Sequence, residues 1–140
     1  MSHIRAKAVC LFRHKNKVLL AAGYDPATDE HYLLPIGGGI EFGETAAQAA
    51  QREVMEEIGV EIHDLRLLGV LENLFSFNGY SGHEIVFVYE AKFVDKCLYE
   101  QAEWRAVESD GVEFSVKWFD QKQISGDALK IYPSGINKML

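Results

Sequence analysis

Residues 38–60, GGIEFGETAAQAAQREVMEEIGV, constrain this chain more than any other stretch. A glycine-rich turn runs into a segment whose helical start and stop are both local. Thr45 with Gln48 three residues later makes a capping-box pattern, and Ala46, Ala47, Ala49 and Ala50 are strong helix formers. Gly59 is placed to end the helix in a left-handed conformation. The pattern predicts a helix over residues 45–58. Arg52, Glu53, Glu56 and Glu57 fall in one short run, and at 100° per residue the three glutamates lie within an arc of about 100°. Carboxylates that close repel one another in a bare helix, and one arginine is too little to balance three. Ala47, Ala50, Val54 and Ile58 lie on the neighbouring face, so the helix can pack on a core while presenting its acids to a cleft. Hard oxygen ligands clustered in this way suit Mg²⁺ or Mn²⁺, and the preceding glycines suit a backbone that approaches a ligand closely.

The same run resembles the Nudix box, G-x5-E-x7-R-E-U-x-E-E-x-G-U, where U is a bulky aliphatic residue. Its fixed positions fall on Gly38, Glu44, Arg52, Glu53, Val54, Glu56, Glu57, Gly59 and Val60. A solvated, salt-bridged helix face accounts for most glutamate pairs, but not for nine specified positions at fixed spacing. The resemblance is to the Nudix hydrolases, MutT-like. It implies the Nudix fold, an α/β/α sandwich around a mixed β-sheet. It also implies hydrolysis of a nucleoside diphosphate linked to some group X, with a metal-activated water attacking one phosphorus. By the same resemblance Glu53, Glu56 and Glu57 are metal ligands, joined by the backbone carbonyl of Gly37. Arg52 then holds the glutamates and Glu44 braces Arg52 or its loop, completing a catalytic set of Arg52, Glu53, Glu56, Glu57 and Glu44. The chemistry suits these residue types. Pyrophosphate repels nucleophiles by its charge, and a divalent cation offsets that charge and acidifies a bound water.

Outside the box the signals are weaker. In this family the general base can lie in the box or in a separate loop. Glu100 and Glu103 are the leading external candidates, with Glu84 and Glu90 behind them. Glu41 could reach a metal from the loop. His83 is a candidate phosphate or base contact, and Phe75, Phe77 and Tyr80 could stack on a nucleobase. Subfamily marks act mainly by absence. Pro26, Pro35 and Pro133 are the three prolines, so the proline that follows the box in many ADP-ribose hydrolases and the array of NADH pyrophosphatases are missing. Phe77 stands near where diadenosine polyphosphate hydrolases tend to carry tyrosine. These marks lean toward (deoxy)nucleoside triphosphates, with ADP-ribose or nucleotide-sugar hydrolysis as the alternative. A non-catalytic nucleotide-binding or regulatory module is the alternative of another class.

The 140 residues, 48% of them hydrophobic, fit one globular domain over residues 1–140. No apolar run approaches the roughly 20 residues of a membrane span, and the N-terminus lacks a secretory pattern. Cys10 and Cys97, with no C-x-x-C, fit reduced thiols in a cytoplasmic protein. A net charge of −7 disfavours duplex nucleic acid and leaves a small nucleotide as the partner. A homodimer fits the family, though no apolar stripe demands one. Along the chain, residues 4–13 and 17–22 suggest a hairpin turning at residues 14–16. Residues 23–30 suggest a loop, 31–34 a short strand, and the glycines of 36–39 no regular element unless something fixes them. Residues 61–73 and 83–94 suggest strands separated by a loop over 74–82. Residues 95–110 suggest a second loop, 111–119 a strand, 120–125 a helical turn and 134–140 a terminal helical stub.

Overall fold

The computed structural model describes residues 3–108, 111–124 and 130–140. Ten strands are found there: β1 (Arg5–Leu11), β2 (Arg13–His14), β3 (Lys17–Asp25), β4 (Glu30–Leu34), β5 (Ile36–Gly39), β6 (Ile62–Phe77), β7 (Tyr80–Phe93), β8 (Glu103–Val107), β9 (Glu113–Asp120) and β10 (Lys130–Ile131). The helix α1 (Ala46–Ile58) follows β5, and the short α2 (Gln121–Ile124) follows β9. One sheet has the order β5-β1-β7-β6, and the other β10-β4-β3-β9-β8 with β2 on β3. The first is mixed, because β1 lies antiparallel to β5 and parallel to β7.

Alternation along the central strands explains the layers. Ala8 and Cys10 of β1, with Leu19 and Ala21 of β3, face a core shared with Ala49, Ala50 and Val54 of α1. Val9 and Leu11 of β1, with Val18 and Leu20 of β3, face a second core that includes Ile124 and Ile136. A strand segment buried on both faces is apolar, as residues 8–11 of β1 and 18–21 of β3 are. Helical pieces cover both faces, and the result is the expected α/β/α sandwich.

The helix forms as its caps dictate. The Thr45 hydroxyl accepts the Gln48 N–H at 3.1 Å, and the Gln48 side-chain oxygen accepts the Thr45 N–H at 2.9 Å. Gly59 ends it at φ 68°. The four glycine-rich residues of β5 are regular because β1 fixes them. A Cβ on Gly37 would sit 2.2 Å from the carbonyl oxygen of Ala8, so only glycine allows that approach.

Three expectations are corrected. The first hairpin is only two pairs long: Lys15 and Asn16 turn at positive φ, β2 pairs with β3, and β1 departs to the other sheet. Turn chemistry fixes the residues beside the turn and says nothing of the strand beyond. Residues 74–82 are not a loop. β6 and β7 stay paired as far as Phe77 and Tyr80 around a two-residue turn at Asn78 and Gly79, with φ of 50° and 81°. Asn-Gly favours such a turn, and that outweighs the loop-like composition. Residues 95–110 hold a 3₁₀ turn (Lys96–Glu100) and then β8, anchored by buried Trp104 and Ala106. Ser109 and Asp110 of that expected loop, and Ser125 of the expected helical turn, lie outside the described residues. The terminal stub is a 3₁₀ helix over Ile136–Met139. Among the described residues no helix is long and apolar enough to cross a membrane.

Candidate active site

Arg52 ties three segments together at the open end of β5. Its Nε and one Nη donate to the two carboxylate oxygens of Glu44, at 2.8 and 3.0 Å. The same Nη donates to the Gly39 carbonyl at 2.9 Å. The other donates to Glu53 at 3.0 Å and to Glu56 at 3.2 Å. Glu41 stands 3.8 Å from it. A guanidinium is suited to this because its donors are planar and fixed, so one side chain can fork onto a carboxylate and still reach a carbonyl. Glu44 also accepts the Glu41 N–H at 3.1 Å. The Arg52 fork, then that amide, holds the Glu44 carboxyl below the usual range. Donating to Glu44 likewise keeps Arg52 firmly protonated.

Glu53 lies against the glycine strand so closely that a Cβ on Gly38 would meet its carboxyl carbon at 2.5 Å. Glu57, one helical turn further, shares a hydrogen bond with Glu53, and its pKa is pushed up to about 8. Burial is the main cause. The charge of Glu53 comes next, then their shared bond and the charge of Glu108, while Lys7 pulls the other way. Two carboxylates that must share a proton when alone can both ionise beside a cation. Hard carboxylate oxygens next to an open glycine backbone therefore fit Mg²⁺ or Mn²⁺. Glu53, Glu57 and Gly37 line the same cleft. Glu56 does not line it; its half-exposed side chain points to Arg52. Among the described residues, no three His, Cys, Asp or Glu side chains already converge in coordinating geometry.

The cleft has a volume of about 510 Å³ and runs from these carboxylates to an aromatic far end. Lys7 and Glu84 lie on its floor, and Tyr32, Phe75, Phe77 and Tyr132 form the far walls. Tyr32 meets the rings of Phe77 and Tyr132 edge-on, at 6.5 and 5.3 Å between centroids. Asp25 secures this end from behind. Its buried carboxylate accepts the Ala27 N–H at 3.0 Å and the Asn78 N–H at 2.9 Å, tying the end of β3 to the β6–β7 turn. Burial alone would raise its pKa, but the amide donors win and hold it below the usual range. The Tyr32 phenol is raised, first by burial and then by the charges of Asp25 and Glu108.

The structure gathers Gly37, Glu53 and Glu57 in the cleft, with Arg52 and Glu44 behind them, and it places Phe75 and Phe77 at the aromatic end. Four expected contacts lie elsewhere. Glu100 stands 3.8 Å from His14, beside a separate surface hollow with His63, Lys92 and Tyr99. Glu103 is exposed at the start of β8. His83 precedes Glu84, and strand alternation turns it to the opposite face of β7. Tyr80 is 76% exposed beside the hairpin turn. Glu90, a weaker candidate, is taken up by Arg13 at 2.9 Å and Arg66 at 3.1 Å. Glu108, Lys7, Asn73, Tyr32 and Tyr132 line the cleft but do not stand out in the sequence. One available signal was a charged residue at an inward strand position, as in Lys7 beside Val9 and Glu84 beside Val86.

A mixed α/β/α sandwich thus carries a glycine strand that feeds an Arg- and Glu-bearing helix at one end of a cleft. The NUDIX domain family matches residues 1–138, and the chain belongs to that family. It is similar to the MutT NUDIX hydrolase from Burkholderia pseudomallei, at 21% identity and a TM-score of 0.69, over 99% of this chain and 95% of that one. It is also similar to a NUDIX-family hydrolase from Clostridium perfringens (21% identity, TM-score 0.66, 96% of this chain and 92% of that one). A NUDIX hydrolase from Nitrosomonas europaea matches at 23% identity and a TM-score of 0.62, over 94% of this chain and 82% of that one. Enzymes of this family generally use divalent cations.

Proposed function

We propose that this chain is a Mg²⁺- or Mn²⁺-dependent hydrolase of small nucleoside diphosphate-linked substrates, with nucleoside triphosphates favoured, working in the cytoplasm as a single domain. The observation that carries this reading is the Glu53–Glu57 pair, pressed against a glycine strand at one end of a cleft whose other end is aromatic. Glu53, Glu57 and the Gly37 carbonyl are the proposed cation ligands lining the cleft, and Glu56, beside Arg52 at its edge, is the proposed fourth. The cation's contribution is to neutralise pyrophosphate charge and acidify a water. Arg52 keeps Glu53 placed through a bond braced by those it also makes to Glu44 and Gly39. Glu57 gives up its proton when the site is filled. Glu108, near enough for its charge to raise Glu57, is the proposed general base, replacing Glu100 and Glu103 in that role. Lys7 supplies positive charge between the carboxylates and the cleft floor, where a phosphate oxygen would gather charge. The rings of Phe75 and Tyr32 flank a flat base.

The test is metal-dependent product release across unmodified and oxidised nucleoside triphosphates, ADP-ribose, nucleotide sugars, dinucleoside polyphosphates and NADH, with Glu57→Gln alongside. The expected result is one class cleaved well above the others and an inactive variant. Full activity in Glu57→Gln would overturn the role of Glu57. Tight nucleotide binding with no product from any compound would favour a binding module instead.

A further inference from the structure

Glu84 is a carboxylate placed where β7 otherwise buries valines. It alternates with Val86 and Val88, and its side chain is only 9% exposed. A buried carboxylate is costly unless it is well hydrogen-bonded. Among the described residues, the polar contacts of the Glu84 carboxylate are both long: Asn73 Nδ2 at 3.5 Å and Lys7 Nζ at 3.6 Å, against the roughly 2.7–3.2 Å of a good N–H···O bond. Asn73 is itself held, since its Oδ1 accepts the Ser134 N–H at 3.2 Å. Lys7 balances the charge without closing on the oxygens. The carboxylate therefore lines the cleft with acceptor capacity to spare.

Its position suits one part of a nucleotide. Gly37 at the phosphate end is in register with Val9, and Val9 with Val88. Glu84 lies four residues back along β7, about 13 Å along the strand at roughly 3.3 Å per residue, and two strands across from Gly37, so the backbones are roughly 16 Å apart and the Glu84 side chain reaches across part of that gap. That is the scale of a nucleoside laid between its phosphate and the outer edge of its base. Phe75 of the neighbouring strand and Tyr32 opposite offer ring faces and edges to a flat group. A carboxylate has two acceptor oxygens side by side and matches two adjacent N–H donors. Among the common bases, guanine alone pairs a ring N–H with a neighbouring exocyclic amine; adenine and cytosine pair the amine with an acceptor, and uracil sets one N–H between two carbonyls.

We propose that Glu84 is a specificity-determining residue that accepts the ring N–H and the exocyclic amine of a guanine-type base. The inference rests on the nucleotide reading above, but its test requires no turnover. Calorimetry with guanosine, inosine and adenosine monophosphates measures base preference by affinity alone. Inosine differs from guanosine only in lacking the exocyclic amine. A hydrogen bond to a charged acceptor is worth about 10- to 100-fold, so guanosine monophosphate should bind at least about 10-fold tighter than inosine monophosphate. Glu84→Gln, which replaces one acceptor oxygen with a donor, should bring the two within about 3-fold while its melting curve stays near that of the parent protein. If that variant does not fold, guanosine monophosphate methylated at N1, where a methyl group replaces the ring N–H, decides the matter in the unaltered protein by losing the preference. Equal binding of all three nucleotides, no binding of any, or an undiminished preference in Glu84→Gln would overturn the proposal. Base-selective binding with no triphosphate cleaved would instead count against the hydrolytic reading and leave this one standing.

Discussion

Replacing Glu57 with glutamine preserves the shape of the side chain and removes its titration, which separates its electrostatics from its chemistry. Burial first, and the neighbouring Glu53 charge second, lift its pKa from an ordinary 4.5 to about 8. At about 1.4 kcal/mol per pH unit, that rise sets a ceiling near 5 kcal/mol. The side chain keeps some contact with solvent, and halving the ceiling leaves about 2 kcal/mol. The sign follows from linkage. The fold prefers the protonated form, so this stability is fully present below about pH 4.5 and is lost progressively as the pH climbs to about 8. The assay is thermal unfolding of both proteins from pH 5 to 9 in chelator. Relative to Glu57→Gln, the parent protein should lose about 6 °C across that range, at roughly 3 °C per kcal/mol for a chain of this size. Saturating Mg²⁺ at pH 8 should raise the melting temperature of the parent protein and leave the variant nearly unchanged. Parallel melting curves from pH 5 to 8 would refute the assigned burial and coupling of Glu57.

Two glycine substitutions one residue apart should fail differently. Gly37→Ala drives a Cβ into the backbone of β1, so urea unfolding should show a loss of about 1–3 kcal/mol. Gly38→Ala instead meets the Glu53 carboxylate, so the melting point should hold while half-saturation by Mg²⁺ rises about 10-fold. Arg52→Lys keeps the charge but not the fork that spans Glu44, Glu53 and the Gly39 carbonyl. Its kcat/KM should fall at least about 10-fold, and parent-like kinetics would dismiss the fork as incidental. Glu108→Gln should lower kcat by about 10²- to 10⁴-fold, whereas Glu100→Gln should stay within about twofold of the parent. The reverse ranking would return the general base to the 3₁₀ turn.

The parts of the fold legible in the sequence are those whose determinants are local. Thr45, Gln48 and Gly59 set both ends of α1 within the helix itself, and the structure starts and stops it within a residue of the expected bounds. The β6–β7 hairpin is equally local, since Asn78-Gly79 specifies its turn. It is misread because Ser76, Ser81 and Gly82 give the flanks the composition of a loop, and composition is the weaker cue. β8 is harder. Only Trp104 and Ala106 of its five residues point inward, too short an alternation to separate from a polar loop. The departure of β1 from β3 has no local signal, because the strand pairs with residues more than 75 positions away in β7.

The site divides along the same line. The helix spacing that aligns Glu53 and Glu57 operates within one element, and so does the contact of Arg52 with both Glu53 and Glu56. The cleft floor depends on register instead: Lys7 lies opposite Gly39 on one side and Val86 on the other, and Glu84 lies opposite Arg5 and Asn73. A search for acids within polar loops selects Glu100 and Glu103, where a carboxylate costs nothing because water solvates it. The better criterion is cost. Lys7 and Glu84 occupy inward positions of otherwise apolar strands, where desolvation penalises a charge that has no partner. That penalty rejects Tyr80 and His83 as readily as it selects Glu84. The strands that read as a core interrupted by a charge are therefore the ones that cross the cleft.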